Sequence, residues 1–306
     1  MNGLTFDRPR AEAVFGTILE AYGARSHLYR LVHGANDDAP QRKFRPANVI
    51  PGSRDDLIRL YFAALTDRRQ LSNEVYKTHA RLWITHEWLY REEVLRRFSS
   101  WKELARILRH EKVGVPEESA RNWLLCADTL YRMFGGNPLQ LYRENSIDGT
   151  LAWKRSEERR CGFDALRGFG PKILSLLAMF YEELGVLPHV EGAFPVDVHI
   201  QRICISTSVV RGVGVAKSAA IVEFLRPQLC EVCYARRWKP LNLAHALWFI
   251  GNRECTRCHL LKDVHVRCPL YAACGGTPDS RAYFRRGEWD FDAPRRPKGF
   301  PVKLLF

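Results

Sequence analysis

Apolar residues recur at helical spacing in almost every ordered stretch of this chain. Between Arg10 and Val32, the residues Ala13, Val14, Ile18, Leu19, Tyr22 and Leu28 fall at such spacings, with Gly23 as an interruption. Leu57, Leu60 and Phe62 follow Ser53-Arg54-Asp55-Asp56, where the serine is placed to cap open backbone N–H groups. Further helices are predicted over Ser72–Tyr90, Glu92–Phe98 and Trp101–His110, the last capped by Ser99 or Ser100. Pro116–Phe134 has proline near its start and Gly135-Gly136 at its end, the usual asymmetry of helix termini. Pro171–Gly185, Asp197–Val209, Ala216–Cys233 and Leu241–Gly251 complete the set. Asn36–Ser53, rich in Pro, Asp and basic residues, reads as a long exposed linker, and no segment alternates as a strand. The expected fold class is all-α.

Length and charge narrow the function. At 306 residues the chain is long enough for a sizeable core and two packed domains. Lys plus Arg number 47 against 34 Asp plus Glu, a net charge of +13, which favours a polyanionic partner through counterion release. No charged start followed by an apolar run marks a signal peptide. The longest apolar stretch, Ile173 to Val186, is broken by Glu182 and Glu183 and is too short to span a bilayer, so no membrane partner is expected. Nine cysteines without a secretory signal point to thiols or metal ligands in a reducing, intracellular compartment.

The densest chemistry lies in Leu166-Arg167-Gly168-Phe169-Gly170-Pro171-Lys172 and Pro195-Val196-Asp197-Val198-His199. Two glycines two residues apart allow a tight turn that leaves N–H groups directed outward at a helix start, where the dipole favours a phosphate oxygen. No strand precedes this turn and no βαβ unit follows it, which argues against a dinucleotide site. An ammonium at Lys172 meets unfavourable dipole charge there, and the free amine is a nucleophile able to form a Schiff base with a sugar C1′. The bland alternative is a solvated lysine that touches phosphate only. Asp197 at a helix start can stabilise positive charge, or simply cap the helix Val198–Val209; the two roles are compatible. Gly212-Val213-Gly214-Val215-Ala216-Lys217 is a faint echo of the glycine turn.

Leu166–Lys172 resembles the helix-hairpin-helix of the DNA glycosylase superfamily that includes endonuclease III, with its L-P-G-x-G-x-K pattern; Arg167 stands in place of the usual proline. Pro195–His199 resembles that family's V-D-x-H segment. The resemblance covers Asp55 to Cys274, and from Leu166 onward it is close. It implies two helical domains with the active site in the cleft between them. It further implies Lys172 as the attacking amine of a glycosylase with AP lyase activity, and Asp197 as the carboxylate that stabilises the transition state. Double-stranded DNA is the implied partner, with Arg167, Gly168, Phe169, Gly170 and His199 at the DNA. A flipped base leaves a gap to be filled, and Gln70 or Arg69, in the loop after the first helix of that domain, stands where relatives carry a plug. A monomer working on the genome, in a bacterial cytoplasm or a nucleus, is the implied setting.

Cys255, Cys258, Cys268 and Cys274 lie within twenty residues, spaced C-x2-C-x9-C-x5-C, and thiolates this dense in a reducing compartment point to metal. The family's iron–sulfur members space theirs C-x6-C-x2-C-x5-C. Either all four cysteines bind, or Cys258, His265, Cys268 and Cys274 keep the family spacing with a histidine among them. The four-cysteine set is preferred, because Cys255 follows Gly251–Glu254 where the first ligand is expected. A [4Fe–4S] cluster is the implied cofactor, with zinc as the alternative. Cys126, Cys161, Cys204 and the pair Cys230 and Cys233 read as core thiols.

Residues 1–52 are then an N-terminal helix and linker that packs with the cluster domain, 53–190 a six-helix domain and 191–274 a metal-cluster domain. The tail, 275–306, alternates Arg285, Arg286, Arg295, Arg296, Lys298 and Lys303 with Tyr283, Phe284, Trp289 and Phe300. That interleaving suits nucleic acid, but an extension packed on its own domain is the preferred reading. Alternatives to the lyase are a monofunctional glycosylase, a non-catalytic iron–sulfur protein that binds damaged DNA, and a zinc-stabilised RNA-binding protein. The base that would be excised is not legible.

Overall fold

The computed structural model describes residues 3–31, 40–67, 72–255, 258, 263–278, 284–285, 287–292 and 295–296. The protein is mostly helical, 65% helix against 5% strand. It divides into two compact units, Met1–His33 with Phe194–Phe306, and Gly34–Ala193. Helix α1 (Arg8–Gly23) belongs to the discontinuous unit. The continuous unit holds α2 (Pro40–Lys43), α3 (Arg54–Thr66), α4 (Ser72–Thr85), α5 (Val94–Arg97), α6 (Trp101–His110), α7 (Pro116–Asp128), α8 (Ile147–Cys161) and α9 (Pro171–Glu183). The chain then returns to the first unit with α10 (Val198–Ser206), α11 (Ser218–Arg236), α12 (Pro240–Phe249) and α13 (Val264–Arg267). None of the described helices is long and apolar enough to cross a membrane.

In the continuous unit, every residue of α3 from Asp56 to Thr66 is buried. Such a helix is a core element on all sides, yet it carries Asp56 and Arg59, both with no exposed surface. Charges that far from water need partners. Arg59 Nη2 donates to Asp56 Oδ1 at 2.6 Å and to Gln41 O at 3.1 Å. Arg45 Nε and the Gly52 amide donate to Asp56 Oδ2 at 3.0 and 3.2 Å. These bonds draw the preceding segment onto the unit, and Pro40, Gln41 and Val49 are buried. The exposed linker expected over Asn36–Ser53 is corrected in part across its described residues: Pro40, Gln41, Pro46 and Val49 are buried and Arg45 serves the buried Asp56, whereas Lys43, Asn48 and Ile50 are exposed.

The core around α3 is aromatic. Trp123 stacks on Phe62 at 4.4 Å between centroids and on His79 at 5.6 Å. Several tyrosine and tryptophan tips find backbone carbonyls: Tyr181 Oη donates to Leu57 O at 2.9 Å, Tyr142 Oη to Leu174 O at 2.7 Å, and Trp123 Nε1 to Leu89 O at 3.0 Å. His79 is fully enclosed, with Nε2 2.7 Å from Thr66 Oγ1 and Nδ1 2.8 Å from Tyr90 Oη. Both ring nitrogens of the neutral form are thus satisfied. Burial, and secondarily the charge of Arg59, lower its pKa to about 3.

Several boundaries differ from the hydrophobic pattern for local reasons. Helix α4 ends at Thr85 and a 3-10 turn, Glu87–Tyr90, follows. Helix α7 passes into a π-helical turn, Thr129–Met133, before Gly135 and Gly136 at φ of 58° and 72°. Helix α8 has no counterpart in the sequence expectations, because it buries only Ile147 and Thr150. A helix that rests on the surface carries little apolar periodicity. It begins on Ser146, whose Oγ accepts from the Gly149 amide at 3.3 Å, and ends on Gly162 at φ 75°.

The discontinuous unit packs α1 against α11 and α12, and α10 against α12. Asp7 caps α1 by accepting from the Arg10 amide at 3.1 Å. Tyr29, in the 3-10 turn His27–Leu31, donates to Ala246 O at 2.8 Å. Unexpected short strands join these helices. Strand β1 (Thr5–Phe6) pairs antiparallel with β2 (Val210–Arg211), Thr5 opposite Arg211. Strand β3 (Val215–Lys217), β4 (Thr277–Pro278), β5 (Phe284–Arg285), β6 (Glu288–Asp290) and β7 (Arg295–Arg296) form two further antiparallel sheets, ordered β3-β6-β5 and β4-β7. Two or three residues are too few for alternation to register in a sequence. Strand β3 occupies the echo of the glycine turn, and it also delays the start of α11 to Ser218. Cys126, Cys204, Cys230 and Cys233 are buried, whereas Cys161 is half-buried and donates to Glu157 Oε2 at 3.7 Å, so it is not a core thiol.

The enclosed His79 makes stability pH-dependent. Between its ordinary pKa of 6.5 and about 3, the unfolded chain binds a proton that the folded chain does not. This contribution is complete above the unfolded value and is lost as pH falls, by about 1.4 kcal/mol per pH unit. Denaturant titrations of the full chain from neutral pH down to about pH 5 are expected to show this loss, and His79→Phe to reduce the slope.

Candidate functional site

The glycine turn spans residues 162–170 and joins α8 to α9. Its interior is fixed by side chains from both ends. Asp164 Oδ1 accepts from the Leu166 amide at 3.1 Å, and Asp164 Oδ2 pairs with Lys154 Nζ at 3.1 Å. The same ammonium donates to Phe169 O at 3.1 Å. Lys154 and Asp164 are thus the residues that hold the turn's shape, and sequence reasoning missed both. An aspartate two residues before an amide it can cap was the available signal.

Leu166 and Phe169 have no exposed surface, and the Phe169 ring lies 4.8 Å from that of Tyr61. The Phe169 amide donates to Leu166 O at 2.9 Å. The Phe169 side chain and amide are committed to the core and the turn. Gly168, at φ 100°, takes the left-handed conformation that a side chain disfavours. Gly170 caps α9, and a Cβ there would meet nothing within 4 Å. Pro171 has no N–H, and the Lys172 and Ile173 amides in the first turn have no acceptor within the helix. The start of α9 thus offers backbone donors, with Arg167 exposed and Lys172 half-buried beside them. This arrangement can receive an anion.

In the other unit, Asp197 is the N-cap of α10. Its Oδ1 accepts from the His199 and Ile200 amides, each at 2.9 Å, which leaves Oδ2 outside the cap. His199 is half-buried with Nδ1 3.3 Å from Arg202 Nη1, and it lies against Gly251. It also packs α10 on the π-helical turn Ile250–Cys255. Arg69 and Gln70 lie outside the described residues.

That π-helical turn leads into the cysteines. Cys255, Cys258, Cys268 and Cys274 line one cavity together with Ile203, Ser206 and Thr207 of the α10 end. The cavity is small, about 30 Å³, and partly open. Burial pushes the Cys255 thiol well above its ordinary pKa, and the neighbouring Cys274 adds to the shift; Arg202 opposes it, while Cys258 and Cys268 reinforce it. Among the described residues, no three His, Cys, Asp or Glu side chains form a group that could hold a metal ion. His265 is exposed on α13, edge-on to Tyr271 at 6.0 Å, and does not line this cavity. No protein-family model and no curated protein sequence matches the chain.

Gly251 is the tightest point of the site. A Cβ there would stand 2.5 Å from His199 Cβ and 3.1 Å from His199 Cα and carbonyl carbon. Because backbone cannot yield as a side-chain tip can, Gly251→Ala is expected to cost about 1–3 kcal/mol, read as a lowered denaturation midpoint.

Proposed function

We propose that the chain is a DNA base-excision glycosylase with AP lyase activity that carries a [4Fe–4S] cluster on Cys255, Cys258, Cys268 and Cys274. The observation that supports this best is the double duty of one helix. Helix α10 begins with Asp197, whose Oδ2 lies outside the cap, and ends among the residues that line the four-cysteine cavity. The open start of α9, with Lys172 in its first turn, supplies the phosphate grip and the amine. A net charge of +13 suits the polyanionic partner.

In this reading the amides at the start of α9 hold a backbone phosphate and bring Lys172 to a flipped nucleotide. The Lys172 amine attacks C1′, its new C–N bond replaces the bond to the base, and the base leaves with that electron pair and takes a proton. Asp197 carries the counter-charge to the positive character that builds at C1′. Opening of the sugar gives an imine between Lys172 and C1′; loss of a C2′ proton then expels the 3′ phosphate, and water releases the enzyme. Four cysteines that line one cavity are the residues that would hold such a cluster, with zinc as the alternative. Such a cluster serves as a structural tie, and Arg202, close enough to oppose the Cys255 shift, offers positive charge beside its thiolates.

Borohydride should trap the wild-type chain on duplexes that contain an abasic site or an oxidised base. Lys172→Ala is expected to abolish the adduct, and Asp197→Asn to slow base release by about 100-fold or more. No adduct with the wild type, or an undiminished one with Lys172→Ala, removes the lyase assignment. Purified protein is expected to show the visible absorbance of thiolate-bound iron, weakened by Cys255→Ser. A colourless protein with stoichiometric zinc would replace the cluster with the zinc site.

A further inference from the structure

The segment that follows the cysteines returns to α10 at two points. The Gly275 amide donates to Ser206 O at 3.0 Å, at the helix end. Nearer the helix start, Gln201 is 1% exposed and its Oε1 accepts two hydrogen bonds, from Trp289 Nε1 at 2.6 Å and from Ser218 Oγ at 2.9 Å. Trp289 is itself 1% exposed, although it lies in a stretch whose composition is that of a solvated basic tail.

Trp289 is held from several directions. Strand β6 pairs with β3, Ala216 opposite Trp289 and Lys217 opposite Glu288. The Ser218 amide donates to Gly287 O at 2.7 Å, the Phe291 amide to Gly214 O at 2.9 Å, and the Gly214 amide to Asp292 Oδ2 at 2.9 Å. A Cβ on Gly212 would lie 3.0 Å from both Leu4 and Phe291, so the segment is seated closely. The indole therefore approaches Gln201 from a fixed scaffold.

Gln201 is one turn beyond Asp197, and its amide donates to Asp197 O at 3.0 Å. Apolar burial holds a helix to a surface but resists rotation and sliding only weakly, because it is non-directional. Two donors that converge on one buried oxygen are directional, and leaving them unpaired is costly. We propose that the C-terminal segment is a clasp on α10: Trp289 and Ser218 fix Gln201, and Gln201 sets the place of Asp197. Gln201 and Trp289 are then positioning residues for the transition-state role assigned to Asp197 above, and the inference rests on that assignment.

The test uses the full chain. Trp289→Phe keeps the ring and deletes the N–H; Gln201→Leu deletes the acceptor; Gln201→Glu keeps it. Trp289→Phe and Gln201→Leu are expected to slow single-turnover base release about tenfold, with affinity for an abasic-analogue duplex within about twofold of wild type. Gln201→Glu is expected to recover most of the rate. Unchanged rates, or losses that affinity fully accounts for, overturn the clasp. If the wild type releases no base, the glycosylase reading fails and amide exchange decides the clasp separately. Trp289→Phe should then speed exchange at the His199 and Ile200 amides about tenfold and leave α3 unchanged; equal rates at those amides overturn it.

Discussion

Helix α10 is nine residues long, and every residue from Ile200 to Ser206 is buried. Three of these, Gln201, Arg202 and Ser206, are polar, and a polar group so placed must find its partner inside the protein. The unit is arranged around that requirement. The helix start is closed by Asp197, the Gln201 oxygen by Trp289 and Ser218, and the last-turn carbonyl of Ser206 by Gly275. The cysteine cavity lies against the same end. The C-terminal segment and the candidate cluster site thus meet on one short helix that is not purely apolar.

The continuous unit answers a similar demand in a different way. Asp56 and Arg59 bond each other, and Arg45, Gly52 and Gln41 add further hydrogen bonds to the pair. The segment before α3 is held by this charge together with apolar contacts of Val49 and Phe44 with the core. At the glycine turn the same logic recurs on a smaller scale. Lys154 bridges Asp164 and Phe169 O, so a turn with two glycines has a defined shape and its outward amides have a defined direction. Rigidity at these points is what a phosphate grip requires, since donors that must first be ordered bind weakly.

Much of this was legible in the chain. The starts of α3, α6, α7 and α9 follow their capping serines and prolines within a residue or two, because a cap acts over a single turn. Asp197 as an N-cap was readable for the same reason. What could not be read were α8, which buries too little to leave a pattern, and the strands, which are too short. The packing of Phe169 on Tyr61 and of His199 beside Gly251 was equally out of reach, because those partners are distant in sequence.

By itself the sequence determined the helical character, the place of the glycine turn and its lysine, the capping aspartate, and the grouping of four cysteines within twenty residues. These rest on interactions between residues a few positions apart, which composition and spacing report directly. Only the tertiary structure decided that four cysteines line one cavity, that a polar stretch packs against Asp56, and that Trp289 meets a glutamine 88 residues before it. Burial creates those partnerships: a group removed from water accepts whichever partner the fold brings near, and sequence distance places no limit on which one that is.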